Sequence, residues 1–112
     1  MMNVRFSDRH IRFRVGRDEL ERLMTGRTLA LDVPMPRAHQ FHASVSVTPI
    51  GDWQLDSDPT GLWLSIPRSA IENLSNGTPT KEGLQHEFDL GAGKRLEVGF
   101  EVDLKTDRQR AA

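Results

Sequence analysis

The chain has 112 residues, 37% of them hydrophobic, enough for one buried core and too few for two. With 15 lysines and arginines against 16 aspartates and glutamates, the net charge is -1, so the molecule as a whole lacks the basic excess that drives binding to nucleic acid or anionic membranes. The absence of cysteine excludes disulfides, thiolate chemistry and cysteine-ligated zinc and points to a reducing, cytoplasmic setting. Met1-Met2-Asn3-Val4-Arg5-Phe6 carries no apolar signal core, and no stretch approaches the roughly 18 to 20 apolar residues of a membrane span.

The first predicted element is a hairpin. Val4-Arg5-Phe6 and Ile11-Arg12-Phe13-Arg14-Val15 alternate about a polar turn, and a tip at Asp8-Arg9 sets Phe6 opposite Ile11, Arg5 opposite Arg12 and Val4 opposite Phe13. The period then changes. Leu20, Leu23 and Met24 fall on one face of a helix from Arg17 to Thr25, with Asp18 and Glu19 in its first turn and Gly26 to end it.

Leu29, Leu31 and Val33 alternate as a strand that Pro34-Met35-Pro36 is expected to stop, because proline donates no ladder hydrogen bond. Phe41, Ala43, Val45 and Val47 form the next strand. Trp53-Gln54-Leu55 and Leu62-Trp63-Leu64-Ser65-Ile66 flank Asp56-Ser57-Asp58-Pro59-Thr60-Gly61, predicting a second hairpin about Asp58-Pro59. Its faces hold Trp53, Leu55, Leu62 and Leu64 on one side, with Gln54 and Trp63 on the other. Pro67 to Ser75 is a second short helix with Ala70, Ile71 and Leu74 inward. Leu84, His86, Phe88 and Leu90, then Leu96, Val98, Phe100, Val102 and Leu104, alternate about Gly91-Ala92-Gly93-Lys94 as a closing hairpin. No internal repeat is visible.

The arginines of the first hairpin are the most function-like feature. Arg5, Arg12 and Arg14 share one face and form a patch suited to an anion or nucleic acid. The last strand offers Glu97, Glu101 and Asp103 at matching spacing, so cross-strand ion pairing is the competing explanation and places that strand beside the hairpin. His39 and His42 fall on opposite faces of an extended chain, which makes them a poor metal pair. His86 lies on an apolar face between Leu84 and Phe88, as a core histidine would. Asp56 to Gly61 begins like a calcium loop, but Pro67 stands where the bidentate glutamate belongs; Gly91 to Lys94 leads into a strand rather than a phosphate-binding helix. No catalytic residue, metal or cofactor is indicated. Trp63, with Gln54 beside it, is an aromatic turned out of the main core, either a candidate interaction surface or a residue that a helix covering this sheet face buries.

Three segments together resemble a family of small bacterial proteins, a domain of unknown function. They are Ile11-Arg12-Phe13-Arg14-Val15 ahead of a helix with Glu19, Leu20 and Leu23, Leu62-Trp63-Leu64-Ser65-Ile66-Pro67 ahead of another, and a closing strand with Leu96, Glu97, Val98, Phe100, Glu101, Asp103 and Leu104. The resemblance implies a compact cytoplasmic domain without an assigned activity.

The sequence thus predicts an α+β fold over residues 1–105, a curved, mainly antiparallel sheet or partly closed small β-barrel of about seven or eight strands with two short helices, and a frayed tail over 106–112. The expected role is non-enzymatic binding of a protein partner or a second copy, without membrane contact. The alternative is a small nucleic-acid-binding module using Arg5, Arg12 and Arg14.

Overall fold

Alternating hydrophobicity in four hairpins and 3.6-residue periodicity in two short segments give, in the computed structural model, eight strands and two helices among the described residues, 1–76 and 83–103. In chain order these are β1 (Asn3–Ser7), β2 (His10–Val15), α1 (Arg17–Met24), β3 (Leu29–Met35), β4 (His39–Thr48), β5 (Gln54–Asp58), β6 (Gly61–Pro67), α2 (Arg68–Asn76), β7 (Leu84–Gly91) and β8 (Lys94–Val102). The expected tail over 106–112 lies outside the described residues.

The strands form two four-stranded sheets, ordered β1-β2-β8-β7 and β3-β4-β6-β5. Each hairpin is antiparallel, but the central pair of each sheet, β2 with β8 and β4 with β6, is parallel. Among the described residues four of the six pairings are thus antiparallel, as expected, but the expectation of a single sheet or partly closed barrel is corrected: there are two sheets, both are mixed, and neither closes. A hairpin reads as antiparallel locally, whereas the joint between hairpins distant in sequence leaves no local sign of its direction.

The two sheets follow one pairing rule, which reveals a repeat. The unit ββαββ occurs as β1-β2-α1-β3-β4 and again as β5-β6-α2-β7-β8, and the first hairpin of each unit pairs with the second hairpin of the other. Registers correspond. His10 faces Glu97 as Gly61 faces His42, and Leu29 faces Val45 as Leu84 faces Phe100. The Glu97 N–H donates to the Arg9 carbonyl at 3.0 Å, and the His42 N–H donates to the Thr60 carbonyl at 2.9 Å. Ile11, Phe13 and Val15 thus correspond to Leu62, Leu64 and Ile66, and Leu20 and Leu23 of α1 to Ile71 and Leu74 of α2. All eight helix and inner β2 and β6 positions from Phe13 and Leu64 onward in this set are buried in the common core.

The termini of α1 follow from its sequence. Glu19 accepts from the N–H of Gly16 at 2.9 Å and from that of Met2 at 2.8 Å, which ties the start of β1 to the start of the helix. At the other end the Gly26 N–H reaches the Leu23 carbonyl and the Arg27 N–H the Arg22 carbonyl, each at 3.0 Å, with Gly26 at φ 90.

Three local expectations change. β3 runs on through Pro34 to Met35, because β3 is a sheet edge and the missing N–H of Pro34 removes no essential ladder bond. The β5–β6 turn is Pro59-Thr60, so Gln54 faces Ser65 and Trp63 faces Asp56, a shift of the expected pairing that leaves the two faces as read. Asp, Pro and Gly take the first, second and fourth places of this turn, their preferred ones. Finally, the β3–β4 connection holds two non-glycine residues in the left-handed region, Arg37 at φ 65 and Ala38 at φ 60. Ala38→Gly is expected to raise stability by about 0.5–1 kcal/mol, relief of strain exceeding the added unfolded-state entropy; the urea midpoint measures it.

The β5–β6 turn also predicts a pH effect. Thr60 donates its hydroxyl at 2.6 Å and its N–H at 2.7 Å to Asp58, and these bonds, the hydroxyl first, hold the Asp58 carboxyl below its ordinary value. A carboxyl lowered by folding stabilises above its unfolded pKa of about 4, and that contribution is lost as pH falls through the lower folded value. The difference in melting temperature between the protein and Thr60→Val should therefore shrink on acidification from neutral pH to below pH 4; a constant difference would show that the carboxylate is not involved.

Candidate anion-binding site

Alternation places every second residue of the β1-β2-β8-β7 sheet on its outer face, where the registers set them in rows. One row runs Ser7, His10, Glu97, Glu87; the next Arg5, Arg12, Gly99, Gln85; the third Asn3, Arg14, Glu101. The first and third rows contain acids. The middle row holds two arginines and no carboxylate.

In the third row, Arg14 Nε donates to Glu101 Oε1 at 2.8 Å. The Glu101 side chain is only 6% exposed and that of Arg14 33%, so the expected outward acidic stripe is in part a covered one. Arg14 is thereby committed to an internal partner and leaves the patch to which its spacing assigned it. The first row is looser: His10 Nε2 stands 3.9 Å from Glu97 Oε1, and Arg95 Nη1 holds Glu87 at 3.1 Å.

Arg5 and Arg12, directly opposed on neighbouring strands, make no ion pair among the described residues. The residue that β8 presents to Arg12 is glycine, so the acid that could neutralise it is missing where the register would put it. The His10 ring leans into this gap: a Cβ built on Gly99 would lie 3.5 Å from Nε2, which is itself buried and without a hydrogen-bond partner. Arg5, Phe6, Ser7, His10 and Arg12 line a concavity of about 220 Å³. Two arginines and a serine hydroxyl there border a space sized for a carboxylate or phosphate group rather than a whole cofactor.

The turn that delivers these groups is Asp8-Arg9, with Arg9 at φ 63, at the position the sequence indicates. Arg5 and Arg12 were legible as a pair. His10, Ser7 and Gly99 were not, because Ser7-Asp8-Arg9-His10 reads as a turn; extending the alternation one step back from Arg12 would have put His10 on the arginine face.

The corresponding face of the other sheet differs in chemistry. Its rows are Asp58, Gly61, His42, Asp32 and Asp56, Trp63, Ser44, Ala30. Trp63 occupies the place of Arg12. It is half-buried, its ring 6.0 Å from that of His42, and His42 Nδ1 in turn lies 2.8 Å from Asp32 Oδ1. Gln54 is exposed and faces Ser65, one row from Trp63, so the two do not form the adjoining pair expected. His39 and His42 lie in different rows and on opposite faces of β4. His86 is a packing residue, stacked on Trp53 at 5.3 Å and edge-on to Phe88 at 4.7 Å. Among the described residues no three histidines or carboxylates gather as a metal site would require, and no helix is long and apolar enough to cross a membrane.

No curated protein and no solved structure is a significant match to the chain. A family model does match, over residues 2–111, and it spans both ββαββ units and the arginine row between them: the chain belongs to the family of unknown function DUF7009.

Proposed function

We propose that this domain is a non-enzymatic binding module that holds an anionic group of a partner protein between Arg5 and Arg12. The observation that carries the reading is the row Arg5, Arg12, Gly99, Gln85, which lacks a carboxylate while both flanking rows have one. Opposed like charges on adjacent strands destabilise a sheet by a few tenths of a kcal/mol or more, and a bound anion reverses that sign. Ser7 adds hydrogen-bonding capacity to the same concavity.

A nucleic acid fits this surface less well. A polyanion following the sheet would meet Glu97 and Glu87 one row from the arginines, and Arg14 is already paired. Trp63 is a weaker recognition surface than its sequence context suggests, being half-buried among His42, Ser44 and Asp56.

Fluorescence anisotropy with a labelled aspartate- and glutamate-rich peptide, and with single-stranded DNA of equal charge, tests the reading. The peptide should bind at about 20 mM salt and release by about 200 mM, and Arg5→Ala with Arg12→Ala should weaken it by roughly tenfold or more. Equal binding by the double variant, tighter binding of DNA, or no binding of the peptide at low salt would overturn it.

A further inference from the structure

We propose that the partner enters as an extended acidic segment that adds to the sheet as a new strand along β1; this rests on the anion-binding reading above. Each sheet has two edges, and they are β1, β7, β3 and β5. Three of them resist an incoming acidic strand. β3 contains Pro34 and the acid Asp32, β5 presents Asp56 and Asp58, and β7 presents Glu87 and Asp89 and slips in register between Asp89 and Gly91. β1 has no proline, no bulge and no acid, and its one charged residue is Arg5, at the strand's centre.

The edge is also held in place. Five residue pairs register β1 on β2, and the Met2 N–H bonded to Glu19 fixes its beginning against α1. An extended segment docking here finds an ordered template, so only the incoming chain must give up conformational freedom. Alternation then sorts its side chains. Acids on one face meet Arg5 and the concavity shared with Arg12, and the intervening apolar residues come beside Phe6, which is 60% exposed on the other face. A second copy of this chain is the poorer occupant, because antiparallel β1–β1 pairing about the strand centre would set Arg5 against Arg5.

The test uses a fluorescein-labelled peptide, Glu-Val-Glu-Val-Glu-Val-Glu, with the full chain at low salt. A block peptide of the same composition keeps the charge and loses the alternation. Two further peptides carry N-methyl groups on alternate amides, one on the glutamates and one on the valines, so that only one of them removes the donors facing β1. The alternating peptide should bind best, and one N-methylated form should bind roughly tenfold weaker while the other is little changed. Outward-facing β1 amides should also exchange more slowly in the complex. Equal binding of the block peptide and both N-methylated forms would overturn strand addition while leaving the anion site standing. No binding of any acidic peptide would remove both.

Discussion

Replacing Arg14 by serine should cost about 3 kcal/mol of stability, replacing Glu101 by serine distinctly less, and making both changes together should recover much of the loss. The asymmetry follows from burial. Removing Arg14 strands a carboxylate whose side chain is 6% exposed, whereas removing Glu101 leaves an arginine that is 33% exposed and can turn its guanidinium to water. The recovery follows from the repeat. In the other sheet the positions of Arg14 and Glu101 are held by Ser65 and Ser46, whose hydroxyl oxygens lie 3.4 Å apart, so the same strand joint is built there without charge. The double variant copies that solution. Urea unfolding of the four proteins measures the cycle, and additive losses would show that the pair is no more than two independent contacts. Arg14→Ser carries functional information as well. If the arginine row binds an anion as proposed, Arg14→Ser should alter affinity little once folded protein is compared with folded protein.

The parts of this molecule that could be read from its sequence are those that depend on neighbours along the chain. The first hairpin was legible pair by pair, because Val4, Phe6, Ile11 and Phe13 share a face and the polar run Ser7-Asp8-Arg9-His10 centres the tip on Asp8-Arg9. Both helices were legible from the spacing of Leu20 and Leu23 and of Ile71 and Leu74. One long-range contact was legible too, since opposed arginines needed acids nearby and the last strand offered them at the right interval; Arg14 and Glu101 meet as a result. What stayed hidden was the division into two sheets. Alternating hydrophobicity fixes which face of a strand is buried and says nothing about which distant hairpin lies alongside, or in which direction. The repeat stayed hidden because the matched positions share apolar character and seldom identity: Ile11 with Leu62, Phe13 with Leu64, Val15 with Ile66. The candidate site suffered from the same limit. Charge spacing selected Arg5, Arg12 and Arg14 together, but register alone assigns a carboxylate to Arg14 and a glycine to Arg12, and so separates the structural arginine from the available ones.

Gly61→Ala should be the most damaging single-methyl change in the chain's sheets, with a loss of about 3 kcal/mol. A Cβ at Gly61 would lie 2.2 Å from the His42 carbonyl oxygen, 3.0 Å from its carbonyl carbon and 3.2 Å from its Cβ. The obstacle is mainly backbone, and it cannot rotate away as a side chain would. The two strands are also held together at this point by the His42 N–H bonded to the Thr60 carbonyl, so accommodating the methyl means opening the β4–β6 joint where it begins. Gly99→Ala is the control, since its nearest neighbour would be His10 Nε2 at an ordinary 3.5 Å; it should cost less than about 1 kcal/mol. The repeat sharpens the expectation further. His10, the counterpart of Gly61, carries a full side chain beside Glu97, and the turns that precede the two residues differ: Arg9 takes φ 63, while Thr60 sits in a turn bonded to Asp58. The two joints are closed by equivalent hydrogen bonds, but at the second the His42 carbonyl occupies the place a Cβ on Gly61 would take. Thermal unfolding and the exchange rate of the His42 amide together decide the matter. A variant as stable as the parent, with that amide equally protected, would mean that β4 and β6 are not held as closely at Gly61 as this geometry requires.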